Sequence, residues 1–125
     1  MINGVHVLFY SCNPEADRAF LRDILQFPSI DVGEGWLIFR LPAAEAGVHP
    51  GEASHQIQHG GHPLLGAVVY LMCDDLERTM QTLKAKKVEC SPVEAAAWGM
   101  STSVRLPSGG SLGLYQPRHK TSIGA

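Results

Sequence analysis

Six histidines and three tyrosines carry most of the chemistry open to this 125-residue chain. His6 stands in "VHVLFY", a β-rich run whose alternation puts His6, Leu8 and Tyr10 on one face. His49 stands in "EAGVHPG". His55, His59 and His62 share the segment "GEASHQIQHGGHP". His55 and His59 are four apart, so on a helix they would share a face, a common zinc-binding arrangement. Gly60–Gly61 would end any such helix at once, and the Ser, Gln and Gly content predicts an exposed hairpin or crossover loop instead. His119 lies in the basic tail "PRHKTSIGA", where fraying is expected. Tyr10, Tyr70 and Tyr115 offer ring faces that stack on planar or cationic ligands and hydroxyls that need partners when buried.

The cysteines offer less. Cys12, Cys73 and Cys90 form an odd set with no CxxC pair, which argues against a disulfide framework and for a reducing compartment. Cys12 and Cys73 each follow an apolar strand and read as small apolar fillers. The sequence supplies no activating neighbour for a thiolate nucleophile.

Two similar runs of elements must position these groups. Residues 5–10 form a strand. Asn13 before Pro14 is the pattern of an N-cap with proline at N1. The segment "PEADRAFLRDILQF" repeats Ala16, Phe20, Ile24 and Phe27 about one turn apart, with most charges elsewhere, and Pro28 closes this helix. "SIDVGEG" is a weak edge strand, "GWLIFRLP" a strong strand and "EAGVHPG" a short fourth one. The order then recurs. "AVVYLM" is a strand, Asp74 a plausible N-cap, and Leu76, Met80 and Leu83 mark a buried helix face. "KVECSPV", "GMSTSVRLP" and "GSLGLYQP" follow as strands, and both strong strands end in Arg-Leu-Pro. The expectation is an α+β chain: two tandem βαβββ modules forming a cupped mixed sheet with helices on the outer face. Residues 1–125 form one domain, with module one at about 4–51, a linker at about 52–65, module two at about 66–117 and a flexible tail at 118–125.

The bulk composition bounds the function. Apolar residues make up 45% and charged ones 18%, as in a globular domain. A formal net charge of −2 argues against non-specific nucleic-acid binding. No run is long enough for a membrane span, and the first residues lack the basic start of a signal peptide. A cytoplasmic protein is expected.

The order of elements resembles the vicinal oxygen chelate (VOC) superfamily, which includes glyoxalase I, extradiol dioxygenases, and fosfomycin- and bleomycin-resistance proteins. The resemblance covers residues 4–117. It rests on "GVHVLFYSCNPEADRAFLRDILQF", on "VYLMCDDLERTMQTLKAKKVE", and on "RLPSGGSLGLYQP", which is similar to the family's closing "DPDGxxxELYQP".

In metal-dependent members each module gives one ligand from its first strand and one from its last, and the ion acts as a Lewis acid on two substrate oxygens. His6 matches the first such position. The second module offers Ala67 or Val68, according to register, and neither ligates. The family's closing Glu falls on Gly113. Aligning the two closing motifs sets His49 opposite Gln116, which points it away from the cup floor unless a bulge resets the register. The resemblance therefore implies a metal site only if His6 and His49 are joined by substitute ligands, such as a linker histidine folded over the cup.

An aromatic cup remains. Tyr10, Tyr70 and Tyr115 share the inward parity of His6, Val68 and Gly113, with Met72 on the same face. Trp36, Ile38 and Arg40 share a face of the third strand, and Trp98 precedes the matching strand. Trp36, Ile38 and Met72 read equally as core filling. Arg40 either pairs with an acidic ligand or stays at the surface. The pocket expected is His6, Tyr10, Trp36, Arg40, Tyr70, Met72, Trp98 and Tyr115.

The favoured function is cofactor-free binding of a small organic ligand, as in the bleomycin-resistance branch. The alternative is a glyoxalase-like lyase or extradiol-dioxygenase-like enzyme using a divalent Fe, Zn, Ni or Mn. A third reading is a degenerate member acting through protein partners. A homodimer is expected, since short edge strands and an open cup leave surface to cover. Neither nucleic acid nor membrane is an expected partner.

Overall fold

A computed structural model describes residues 1–124 of the chain, and Ala125, the end of the expected tail, lies outside the described residues. Helix α1 spans Pro14–Asp23. Its start follows from chemistry: the Asn13 side chain accepts from the Ala16 N–H at 3.2 Å, and Pro14 stands at N1, where no N–H is needed. Phe20 and Leu21 are buried, with Ile24, Leu25 and Phe27 packed beside them. The helix stops four residues before the expected Phe27. Gln26 adopts φ 60, which lets the Phe27 N–H reach back to the Leu21 carbonyl at 3.0 Å and close the end.

The first module then departs from the expected plan. Strands β1 (Ser29–Asp31) and β2 (Leu37–Phe39) form an antiparallel hairpin with Ile30 opposite Ile38. Residues 5–10 and 43–50 form no strand. Residues 5–9 find no ladder partner, and Val5, Leu8 and Phe9 stay exposed. The segment around His49 ends at Pro50, which has no N–H to give to a ladder. The linker forms a 3₁₀ turn at Ala53–His55 and a hairpin of β3 (Ile57–His59) and β4 (His62–Leu64). Gly60 and Gly61 both have positive φ, 59 and 80, as a two-residue primed turn requires.

The second module matches the plan closely. Strand β5 (Tyr70–Met72) leads to helix α2 (Leu76–Ala85), then to β6 (Glu94–Ala96), β7 (Gly99–Arg105) and β8 (Ser111–Pro117). The order in the sheet is β5-β8-β7-β6, with β5 parallel to β8 and the other pairs antiparallel. Two local expectations are corrected. Asp75, not Asp74, caps α2, accepting from the Arg78 N–H at 3.1 Å. The weak strand falls at Glu94–Ala96, and "KVECSPV" contributes only a bridge from Cys90 to Val104.

The core lies between both helices and one face of this sheet. Phe20, Leu21, Leu76 and Leu83 meet Val104, Leu112 and Leu114 there. Cys73 and Cys90 pack at its edge, and burial pushes both thiols up, as suits apolar fillers rather than nucleophiles. Cys12 is exposed. No helix among the described residues is long and apolar enough to cross a membrane.

Asp17 joins α1 to the β7–β8 turn. Its side chain lies on the buried side of the helix, accepting from Ser11 Oγ at 2.6 Å and from the Ser108 N–H at 3.0 Å. Burial pushes its carboxyl up, but the hydrogen bonds from Ser108 and Ser11 outweigh this and hold it below its ordinary value. Asp17→Asn is expected to cost about 1.5–3 kcal/mol, the worth of hydrogen bonds to a charged group, read as a lower urea midpoint. Because the folded carboxyl is the stronger acid, its contribution is full above the unfolded value near 3.9 and fades as pH falls through the folded one. An acid unfolding curve of Asp17→Asn should therefore lie closer to the wild type at pH 3 than at pH 7.

Candidate functional site

The sheet face away from the helices is built by the strand register. Tyr70 pairs with Gly113 and Met72 with Tyr115 across β5 and β8. Ser103 pairs with Gly113 and Ser101 with Tyr115 across β7 and β8. Ladder partners share a face, so this surface carries small hydroxyl residues beside aromatic rings. The segment 5–10, the stretch 64–70 and the linker hairpin stand around it and leave an open cleft of about 930 Å³. That volume is in the range of small-molecule sites.

Gly113 is the centre of this floor. A Cβ there would fall inside the contact surface of the Tyr70 ring, reaching within 2.8 Å of its Cγ. The tyrosine thus lies over the position where the family's closing motif carries a carboxylate. Tyr70 meets Tyr115 edge to face at 5.6 Å, and Tyr115 meets Trp98 in the same way at 5.6 Å. Burial, and Glu45 nearby, push the Tyr115 phenol up, so it stays protonated at neutral pH. Its hydroxyl pairs with His119 Nε2 at 2.6 Å. The tail is tied here: Arg118 binds the Trp98 and Ala96 carbonyls, and the Ser122 N–H binds Glu45 at 2.8 Å.

The expected site residues separate into three groups. His6, Tyr10 and Tyr70 line the cleft, together with Ala67 and Val68. Tyr115 and Trp98 extend from Tyr70 as a chain of rings, and Met72 lies beside Tyr115 in the register. Met72, Trp98 and Tyr115 stand beside the cleft without lining it, and Trp36, Arg40 and His49 lie away from it. Trp36 is exposed beneath the Arg18 guanidinium, 4.7 Å from its ring centre. Arg40 is exposed at the end of the β1–β2 hairpin, its N–H on the Pro28 carbonyl. His49 turns to the Pro50 carbonyl, 2.7 Å from Nδ1, in a segment that never joins the sheet. Strand parity places Trp36 and Arg40 in the cup and fails there because β2 is only three residues long, whereas it points His49 away from the floor, and residue 49 lies in no strand at all.

Ile57, His59, Leu64 and Leu65 reach the cleft from the linker, and His59 is the histidine among them. Its Nδ1 pairs with the Tyr10 hydroxyl, the rings 5.8 Å apart. Strand alternation in the first module could not find it. The signal in the sequence was the Gly60–Gly61 hairpin, which folds β3 back over the cup.

A divalent ion of the VOC type does not fit these donors. Val68 and Gly113 supply none, His49 is elsewhere, and the Tyr70 ring covers the floor. Among the described residues, no three His, Cys, Asp or Glu side chains are grouped closely enough to hold a metal.

No protein-family model and no curated protein matches the sequence. Solved structures do. A lactoylglutathione lyase from Agrobacterium tumefaciens is 19% identical, with a TM-score of 0.59, over 91% of this chain and 92% of that one. A glyoxalase/bleomycin resistance protein/dioxygenase superfamily member from Sphaerobacter thermophilus is 21% identical, with a TM-score of 0.57, over 92% and 98%. TnmS3, an antibiotic-binding protein from a Streptomyces species, is 19% identical, with a TM-score of 0.54, over 94% and 98%. Likeness at these identities over nearly whole chains is a likeness of architecture, and it agrees with the βαβββ order seen in the second module: the chain has the fold of the glyoxalase/bleomycin resistance protein/dioxygenase superfamily.

Proposed function

We propose that this protein binds a small planar organic ligand in its cup without the superfamily's metal. One observation carries the reading: the Tyr70 ring lies over Gly113, so an aromatic surface stands where a carboxylate ligand would be needed. The fold itself does not choose, because it is shared by a lyase and by an antibiotic-binding protein. The side chains support the ligand-binding reading. Ser101 and Ser103 give the floor hydroxyls, Tyr70 gives it a ring, and the mouth is apolar, which suits stacking with a few polar anchors.

The test is to purify the protein without chelators, measure its metals, and titrate it with planar aromatic compounds. The expected outcome is no stoichiometric iron, zinc, nickel or manganese, and quenching of Trp98 and tyrosine emission. Stoichiometric metal that is lost in His6→Ala would overturn the reading and favour a metal-dependent lyase or dioxygenase.

The same proposal includes a cytoplasmic homodimer. Three unpaired thiols suit a reducing compartment. Val5, Leu8 and Phe9 on one extended segment, and Leu65 and Val68 on another, are exposed apolar side chains that a second copy would cover. Light scattering at low micromolar concentration should give twice the chain mass.

A further inference from the structure

The linker hairpin joins no other strand of the cup. β3 and β4 pair only with each other, and all six of their residues are exposed. An isolated two-stranded hairpin is marginal in water, so its contacts with the body set where it rests. One polar contact from its tip region reaches into the cleft, the pairing of His59 Nδ1 with the Tyr10 hydroxyl. Tyr10 is itself largely exposed at the mouth, and the two rings are tilted by 59° rather than stacked. The arrangement therefore depends on a phenol meeting an imidazole nitrogen, not on packing.

We infer that His59 is a specificity-determining residue of the cup, and that the Tyr10 phenol holds the place of a hydroxyl carried by the ligand. The inference rests on the ligand-binding reading above and names its ligand class: a flat aromatic ring bearing a hydroxyl. The ring lies against Tyr70, and the hydroxyl takes over the His59 nitrogen. A phenolic O–H both donates and accepts, so it replaces Tyr10 on either tautomer of His59. Tyr10 is displaced to water, where its own hydroxyl is satisfied at little cost because it is already exposed. The hairpin yields as the exchange occurs, since no other strand is paired to it.

The test compares 2-naphthol with 2-methylnaphthalene, which has the same ring and nearly the same size but no hydroxyl, by calorimetry on the full chain. His59→Ala should weaken 2-naphthol by roughly three- to tenfold, the worth of one ordinary hydrogen bond, and leave 2-methylnaphthalene unchanged. Tyr10→Phe removes the competitor and should tighten 2-naphthol. Equal effects of His59→Ala on both compounds, or none on either, would overturn the inference while the cup reading stands. Tyr10→Phe weakening 2-naphthol as much as His59→Ala does would overturn the placeholder role, because the phenol would then be part of the binding surface. Binding of neither compound to the wild type would overturn both this inference and the reading beneath it.

Discussion

Gly113→Glu is expected to reduce binding of planar aromatic compounds about fivefold or more while the chain remains folded. The new Cβ would enter the Tyr70 ring, so the ring must leave the floor. It has somewhere to go, since Tyr70 is 44% exposed, and overpacking of this kind costs about 1–3 kcal/mol. The displaced ring loses its edge contact with Tyr115, worth about 0.5–1.5 kcal/mol. A ligand loses its stacking partner as well, and stacking on an aromatic side chain is worth about 1–3 kcal/mol, or roughly 5- to 150-fold. Calorimetric titration measures the binding, and the near-ultraviolet circular dichroism of the Tyr70–Tyr115–Trp98 chain should change with it. Unaltered affinity would show that the ligand does not touch this floor. The substitution restores the residue type of the superfamily's closing motif, yet no metal site should follow, because Val68 still supplies no donor.

Leu76→Ala should be the most damaging single truncation in the core. Leu76 is 1% exposed and begins α2, where it packs with the leucines of β8. Emptying such a site costs about 2–5 kcal/mol, according to how far the surroundings collapse. Domains of this size have only about 5–15 kcal/mol to lose, so the urea midpoint should fall sharply. The Leu76 N–H also donates to the Gln116 side-chain carbonyl at 2.8 Å, so the helix start is fixed to β8 by a hydrogen bond as well as by packing. Gln116→Ala should cost about 1–3 kcal/mol, because it leaves the N–H of a buried residue without its partner. A loss below 1 kcal/mol for Leu76→Ala would mean that the core closes over the gap.

The legible parts of the fold were those whose signals are local. Asn13–Pro14 begins α1, and the leucines of α2 face inward, because capping and helical periodicity need only neighbouring residues. The long strands β7 and β8 carried enough alternation and a matching turn to be read in place. Strand parity was trustworthy only where a ladder exists to enforce it. It puts Trp36 and Arg40 inward, yet β2 pairs over just three residues, and it assigns His49 a strand face although residues 43–50 form no strand. Phe27 was assigned to the helix because its apolar spacing continues. Its packing against the core is real, but Gln26 turns the backbone first.

The sequence by itself determined the order of elements in the second module, the absence of donors at Val68 and Gly113, and the aromatic residues available to the cup. Those are matters of residue identity and short-range spacing. Only the tertiary structure decided what occupies the vacated floor and which linker histidine reaches the cleft. Tyr70 and Gly113 are 43 residues apart and become partners through the parallel pairing of β5 with β8. Tyr10 and His59 meet across 49 residues because a two-glycine turn folds the linker back. Contacts of that kind depend on register and on where a hairpin comes to rest, and neither is written in the residues on one side of the contact.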